Sequence, residues 1–202
     1  MPLTNSYATL TQVKAALRIS DTVDDTLLEM AIESASRAID GHAMRSFYSF
    51  GTATRYYAAD DSFVVQTDDI AGTAITLMTS SGGDGVYDVT WAVGDYQLEP
   101  SNGYTDGLTV PYTRIRAIEN YLFPVEADQN LVKVTGVFGW PAVPIAITQA
   151  CVIQSSRFFK RLDSPLGIAG GYGDMGAMRV SRYLDPDVEQ LVAPYRSTRN
   201  FA

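Results

Sequence analysis

The sequence predicts an α+β protein in which an α-helical bundle core is interrupted by an inserted antiparallel β domain. Apolar residues recur at helical spacing near both ends of the chain, whereas the middle consists of short runs rich in β-branched and aromatic residues. Clusters of Gly, Asn, Ser and Asp separate those runs, as turns do between strands. This change of pattern places the helical core with its C-terminal tail at residues 1–46 and 140–202, and the β-rich domain at 47–139.

The N-terminal part of that core is predicted to be a helical hairpin. Thr9 and Gln12 have the spacing of a capping box and begin a short helix that ends near Ile19. An acidic turn at residues 20–25 follows, and apolar residues three and four positions apart then continue a second helix to about Ala43. Two helices joined by so short a turn are expected to pack against each other.

A third helix is predicted to begin at Pro144, because proline suits the first helical position. Its first half is almost entirely apolar, which predicts burial on most sides and makes Cys151, the single cysteine, a small core residue. Its last turns carry Arg157, Lys160 and Arg161, cations that complement the helix dipole. The helix therefore combines an apolar beginning with a cationic end.

The remaining C-terminal segment is predicted to be loop, short helix and tail. Residues 164–178 contain five glycines, a composition typical of a flexible loop. Asp185 and Pro186 form a cap for a last helix that stops before Pro194, and residues 195–202 are expected to be a tail.

Charge is distributed unevenly along the chain. The net charge is −8 at pH 7, which argues against a protein whose task is to grip nucleic-acid phosphates. Residues 1–156 hold 8 Lys and Arg against 18 Asp and Glu, whereas residues 157–202 hold 7 against 5. The C-terminal segment could therefore meet an acidic partner surface, or its arginines could simply be solvated. No apolar run is long enough to span a membrane, and the N-terminus has no secretory pattern.

The sequence predicts no catalytic residue, no cofactor and no metal site. His42 is the single histidine and no nucleophile elbow is present, so a catalytic triad has no support. One Cys and one His cannot supply the usual zinc ligands. Residues 171–176 match G-x-G-x-x-G, but a helix rather than a strand precedes them, which removes the phosphate-binding geometry. The acidic pairs lack the alternation of a calcium loop and are best explained as turn and cap residues, at Asp24–Asp25, Asp60–Asp61 and Asp68–Asp69.

The order of motifs resembles that of one family. The resemblance rests on residues 7–19, on the acidic turn and residues 27–40, on Arg45-Ser46-Phe47, on Gly139-Trp140 with Val143-Pro144 and the basic residues that follow, and on residues 185–196 with their Pro-Tyr-Arg ending. Together these segments are similar to the head–tail connector (adaptor, or head-completion) family of long-tailed double-stranded DNA bacteriophages. The resemblance covers residues 7–47 and 139–196.

The resemblance implies a structural, non-enzymatic virion protein that is assembled in the host cytoplasm and resides in the head–tail neck. It implies a homo-oligomeric ring, typically a dodecamer, that binds beneath the portal, completes the DNA-filled head and offers a docking surface to a downstream neck, stopper or tail protein. It also implies that DNA passes through without specific binding. The candidate partner contacts are the C-terminal cations and one tyrosine: Arg157, Lys160, Arg161, Arg179, Arg182, Tyr195, Arg196 and Arg199.

Two alternatives remain open from the sequence. The large β domain also suits another neck or tail-completion protein. Aromatic residues between Tyr87 and Tyr112, including Trp91 and Tyr104, leave room for a carbohydrate-binding virion protein.

Overall fold

The structure is a computed structural model, and it describes residues 3–105, 107–126, 129–162, 168–169, 178–179 and 184–197. Contacts divide the chain into two compact units, which are described separately: a helical unit of residues 1–47 with 143–202, and a sheet unit of residues 48–142. The prediction of two domains at the bounds given above stays a prediction.

The described elements follow the chain in the order α1 (Leu10–Leu17), α2 (Asp25–Ala43), β1 (Ser49–Tyr57), β2 (Val64–Ile70), β3 (Thr76–Thr79), β4 (Val89–Thr90), β5 (Tyr96–Glu99), β6 (Tyr104–Thr105), β7 (Leu108–Thr109), β8 (Tyr112–Ala117), β9 (Val132–Gly139), α3 (Ile145–Leu162), β10 (Ile168–Ala169), β11 (Met178–Arg179) and α4 (Pro186–Val192), with a 3₁₀ turn at Ala193–Tyr195. The predicted mixed class with an antiparallel sheet is confirmed.

Local capping decides where α1 begins. The Thr9 side chain accepts a hydrogen bond from the Gln12 backbone N–H, and the Gln12 side chain accepts one from the Thr9 backbone N–H. This reciprocal pair is the predicted capping box. The helix ends at Leu17, slightly before the predicted Ile19, because Arg18 takes a left-handed conformation with φ of 59°.

The helical unit is built around α2 and α3, which contact each other and also contact α1 and α4. Ser36 lies at the centre of this packing: its hydroxyl donates to the Ile32 carbonyl at 2.8 Å and accepts the Tyr7 N–H at 3.1 Å. Cys151 Sγ is 3.4 Å from the same hydroxyl, and burial raises the pKa of this thiol. Cys151 is thus the predicted core residue.

Burial of α3 is narrower than predicted. Its buried residues form one stripe, at Ile147, Ala150, Cys151, Gln154 and Ser155. The prediction of burial on most sides is wrong, since Ile145 is largely exposed. The apolar run exceeds what the neighbouring helices cover, so hydrophobicity alone overstated how much of the helix is buried.

Two predictions for the C-terminal segment are also wrong in part. Residues 168–169 and 178–179 pair as an antiparallel hairpin where only loop was expected, while the residues between them lie outside the described part of the chain. Tyr195 is not the start of a tail, because it is buried and packs edge-to-face on Phe47 with ring centroids 5.9 Å apart. The Ser197 N–H then donates to the Ala43 carbonyl at 2.8 Å. The chain stays packed after α4 has ended because burial of the large Tyr195 ring is favourable.

The sheet unit centres on β9. Along one side β9 pairs with β1 from Ser49 to Tyr57, and along the other it pairs with β3 and, at Phe138, with β2. The sheet continues from β2 through β8 to β5 and from β3 to β4, so it has seven strands. Alternate residues of these strands form one apolar core, which includes Val65, Leu77, Ile115, Val134 and Phe138. β9, the last strand of the sheet unit, therefore pairs with β1, its first strand.

One ion-pair cluster joins β5 to β8. Glu99 accepts a hydrogen bond from Arg116 Nε at 2.6 Å, and Arg114 Nη2 lies 3.4 Å from its other oxygen. The hydrogen bond and charge of Arg116 lower the pKa of Glu99. A carboxyl whose pKa is depressed by folding stabilises the fold above its unfolded pKa, and that contribution is lost as the pH falls through the folded pKa.

We therefore expect Glu99→Gln to lower the urea midpoint at pH 7 and to leave it unchanged once the pH is well below about 4, near the unfolded pKa of a glutamate. Urea unfolding between neutral and acidic pH, followed by tyrosine and tryptophan fluorescence, measures this difference. Glu126→Gln, at an exposed glutamate, is the control and is expected to show no such convergence. Equal midpoints for wild type and Glu99→Gln at pH 7 would contradict the prediction.

Candidate partner interface

The cationic end of α3 divides into two kinds of side chain. Lys160 is exposed and Arg161 is half-buried. Arg157, in contrast, is only 16% exposed, and its Nη1 donates to Asp185 Oδ2 at 3.1 Å. Of the three cations predicted at this helix end, Lys160 is therefore available to a partner, whereas Arg157 is committed within the unit.

Arg157 and its neighbour Gln154 fix the position of α4. The Asp185 N–H donates to Gln154 Oε1 at 3.2 Å, and Gln154 is fully buried. Asp185 also caps α4, since its Oδ1 accepts the Asp187 N–H at 3.0 Å. One capping residue thus connects α4 to two side chains of α3, and we infer that Arg157 positions α4; its contact with a partner stays a prediction.

We expect Arg157→Ala to destabilise the protein by about 1–3 kcal/mol, because it removes a packed side chain and takes the guanidinium partner away from the half-buried Asp185 carboxylate. Urea denaturation followed by circular dichroism measures the change. Lys160→Ala removes an exposed cation from the same helix end and is expected to stay within about 0.5 kcal/mol of wild type. Equal effects of the two substitutions would refute a positioning role for Arg157.

The other predicted contacts are distributed as follows. Arg196 is exposed directly after the 3₁₀ turn, whereas the Tyr195 ring is buried against Phe47. The backbone of Arg179 lies in β11, and Arg182 and Arg199 are outside the described residues. Among the predicted residues the structure describes in full, Lys160 and Arg196 are thus the exposed cations, and their contact with a partner stays a prediction.

A buried polar cluster escaped the sequence reasoning. The Tyr7 hydroxyl donates to Asp40 Oδ1 and accepts the Phe47 N–H at 2.8 Å. Arg37 Nε lies 3.0 Å from the other Asp40 oxygen. Burial raises the pKa of both Tyr7 and Asp40. The only signal in the sequence was the i, i+3 spacing of Arg37 and Asp40, which gives no hint that Tyr7 completes the cluster.

Asp60–Asp61 lies in a turn, as predicted, whereas Asp68–Asp69 lies within strand β2, so its prediction as turn or cap residues is wrong. Asp61 Oδ1 accepts the N–H groups of Phe63 and Val64, as expected for a turn. Asp68 Oδ2 lies 2.6 Å from Arg55 Nη1, and Asp69 accepts the indole N–H of Trp140 at 3.2 Å. In the described ranges, no three His, Cys, Asp or Glu side chains are grouped to hold a metal ion. No described helix is long and apolar enough to cross a membrane.

The aromatic residues do not form one exposed platform. Trp91 is buried and stacks on Phe123, with ring centroids 4.5 Å apart, and it donates its indole N–H to the Thr79 hydroxyl. Tyr104 is exposed on the small β6–β7 hairpin. The two residues on which the carbohydrate-binding alternative rested are thus in different environments.

Comparison with known proteins gives a family match and a fold match. Residues 7–74, which include α1, α2, β1 and β2, match the family model described as phage gp6-like head–tail connector protein. No curated protein matches the chain. The whole chain superposes on 95% of a chain from the neck of an empty gene transfer agent (GTA) particle, computed with C6 symmetry, at a TM-score of 0.54 and 16% identity.

Two further solved structures agree. A chain from the virion of a native GTA particle has a TM-score of 0.55 and 17% identity, with coverage of 100% of this chain and 95% of that one. A chain from the neck of a native GTA particle, computed with C12 symmetry, has a TM-score of 0.54 and 16% identity, with coverage of 100% and 94%. At such identities the likeness is one of fold, and it includes the sheet unit. The resemblance predicted from the sequence is therefore confirmed: over residues 7–74 this chain is similar to phage gp6-like head–tail connector proteins.

Proposed function

We propose that the protein is a structural head-to-tail adaptor of a phage-like particle, without enzymatic activity. The observation that carries the proposal is the connector-family match at residues 7–74 on a chain whose entire fold is similar to chains from particle necks. In this role it forms a ring beneath the portal, completes the DNA-filled head and offers a docking surface to the next neck or tail component. Ring formation is supported by the C6 and C12 symmetries of the two neck structures with a similar fold.

The charge of the chain suits such a ring. A net charge of −8 offers little phosphate neutralisation and releases few counterions, so DNA can pass without being held. The contacts among α1, α2, α3 and α4 support a helical bundle as the core of each ring subunit. Assembly in the host cytoplasm and residence in the virion neck follow from the same role.

We assign the contact with the portal to the exposed cations of the C-terminal basic segment, which begins near the end of α3. Lys160 and Arg196 carry this assignment within the described residues, and Arg161, Arg179, Arg182 and Arg199 belong to the same basic segment. An acidic partner surface would be attracted to them over the distance set by ionic screening.

The double variant Lys160→Glu with Arg196→Glu tests this assignment. We expect it to fold normally and to bind portal-containing heads at least about tenfold more weakly than wild type, because charge reversal turns attraction into repulsion. Co-sedimentation of purified protein with DNA-filled heads that lack the adaptor measures binding. Arg18→Glu reverses the charge of another exposed arginine, outside the proposed contact, and is the control.

Two outcomes would contradict the proposal. Unchanged binding of the double variant would remove these cations from the contact. Failure of the wild-type protein to bind heads or to form rings on them would reject the adaptor role itself. A photo-crosslinker at Arg196 separates the alternative: portal products support the adaptor, whereas tail-tube products indicate another neck or tail-completion protein.

A further inference from the structure

The sheet unit contains an open apolar cavity of about 370 Å³. Its walls come from β3, from β4 with the residue that follows it, and from residues 121–124. Trp91 and Phe123 are stacked side chains in its lining, and both are buried. The Trp91 indole N–H is already donated to Thr79, so the ring itself presents an apolar surface.

The mouth of the cavity exposes apolar side chains. Leu122 is 54% exposed, Tyr121 44% and Val89 40%, and all three line the cavity. Large apolar side chains grouped around a concave site are typical of protein-binding surfaces, since each loses contact with water only when a partner covers it.

The segments that line the cavity carry acids and no Lys or Arg, while Lys133 of the adjoining strand β9 is held over the Tyr87 ring, 5.7 Å from its centroid. Residues 56–113 contain nine Asp and Glu and no Lys or Arg, and residues 117–132 contain three acids and no Lys or Arg. Three of these carboxylates reach the lining. Asp84 lies 3.5 Å from the Ser80 hydroxyl, Asp88 accepts the Ser81 N–H at 2.9 Å, and the charge of Asp95 raises the pKa of Tyr121. An apolar cavity with an anionic mouth selects a partner that is apolar at one point and cationic around it.

We propose that this cavity docks a polypeptide segment of the next neck component, in which an apolar side chain is flanked by Lys or Arg residues. The inference rests on the adaptor role proposed above and assigns the partner's chemistry at the docking surface. The apolar side chain enters beside Trp91 and Leu122, and the flanking cations pair with the carboxylates at the mouth. The sheet unit of a second copy would bring the same anionic loops to this surface, so like-charge repulsion favours a different polypeptide.

Nuclear magnetic resonance of the full chain tests the proposed chemistry directly. The chain has two tryptophans, so two indole N–H signals are expected, and Trp91→Phe assigns them. The probe is the acetylated hexapeptide arginine–lysine–leucine–phenylalanine–arginine–lysine. We expect it to shift the Trp91 signal and to leave that of Trp140, which is buried away from the cavity lining, unmoved. Raising the salt from about 50 to about 500 mM should weaken the titration at least about fivefold, because the Debye length shortens.

Matched peptides and variants separate the two parts of the proposal. Two altered peptides are expected to bind at least about tenfold more weakly. In one, glutamate replaces the four cations; in the other, serine replaces the leucine and the phenylalanine. Leu122→Asp should do the same, whereas Val93→Asp, at an exposed valine that does not line the cavity, should not. The proposal is overturned if the Trp91 signal does not move with the cationic probe, or moves equally with the acidic one.

Assembled particles that carry these variants show whether the docking site or the adaptor role itself is wrong. Particles carrying Leu122→Asp are expected to retain the adaptor on the head. They should contain at least about tenfold less of the downstream component than particles carrying Val93→Asp. Normal occupancy of that component overturns the docking site and leaves the adaptor role standing. A photo-crosslinker at Leu122 that joins only a second copy of this chain would also overturn the proposed partner.

Discussion

Gly139→Ala is expected to destabilise the sheet unit by about 3 kcal/mol or more, the largest effect of any single methyl group we anticipate in this chain. Gly139 has φ of 101°, in a region that side chains rarely adopt. A Cβ atom there would lie 2.1 Å from the Tyr48 carbonyl oxygen and 3.1 Å from Ser49 Cα, both backbone atoms that cannot turn away as a side chain can.

The close approach exists because of how β9 ends against β1. Gly139 is paired with Ser49, a register shift separates Ser49 from Gly51, and the Trp140 N–H donates to the same Tyr48 carbonyl at 3.3 Å. An alanine must therefore push β1 and β9 apart at the point where Trp140 is fully buried.

Gly94→Ala is the matched control, since a Cβ there meets nothing within 4 Å and its φ is not in the left-handed region. Urea unfolding followed by tryptophan fluorescence, which reports on the sheet unit through Trp91 and Trp140, measures both variants. A loss below about 1 kcal/mol for Gly139→Ala would show that β1 moves aside without cost, and would contradict the prediction.

Phe47→Ala is expected to destabilise the helical unit by about 3–5 kcal/mol, the usual cost of removing a buried phenylalanine. Phe47 is fully buried and makes edge-to-face contacts with Tyr7, at 5.7 Å, and with Tyr195, at 5.9 Å. Its backbone N–H also donates to the Tyr7 hydroxyl. The ring thus holds the N-terminal segment and the 3₁₀ turn to the end of α2, and its loss leaves both without their aromatic partner.

Urea unfolding followed by far-ultraviolet circular dichroism measures the destabilisation, and limited proteolysis after Arg196 reports release of the 3₁₀ turn. Phe63→Ala removes the same side chain where it is 53% exposed and should cost about 1 kcal/mol or less. If Phe47→Ala unfolds at the same urea concentration as Phe63→Ala, the proposed anchoring of the two segments is wrong.

The sequence was a good guide wherever a signal acts between near neighbours in the chain. The capping box of Thr9 and Gln12 spans three residues, and both predicted partners make their hydrogen bonds. The apolar spacing of α2 likewise predicted its buried face, including Leu28, Ile32 and Ile39. The motifs near the N-terminus were sufficient to indicate a resemblance to the connector family, which the match at residues 7–74 confirms; the motifs at 139–196 lie outside the matched residues.

The surroundings of the predicted interface residues could not be read from the sequence, because they depend on segments far away in the chain. Arg157 and Lys160 are three positions apart and look alike in the sequence, yet only Arg157 meets Asp185, which is 28 residues away. Tyr195 belongs to a motif that suggested an exposed contact, and the ring of Phe47 buries it. The sequence singled out Trp91 among the aromatic residues, but it gave no indication that this ring lines a cavity.

By itself the sequence determined the mixed fold class, the starts and faces of the first helices, the acidic character of residues 1–156 and the family resemblance. Only the tertiary structure decided that Tyr7 and Asp40 share a buried hydrogen bond, that β9 is the central strand, that Arg157 pairs with Asp185, and that Trp91 lines a cavity. The physical reason is how far apart in the chain the interacting residues lie. Caps and helical periodicity act over one or two turns, whereas strand order, ion pairing and concave surfaces depend on distant segments packing together.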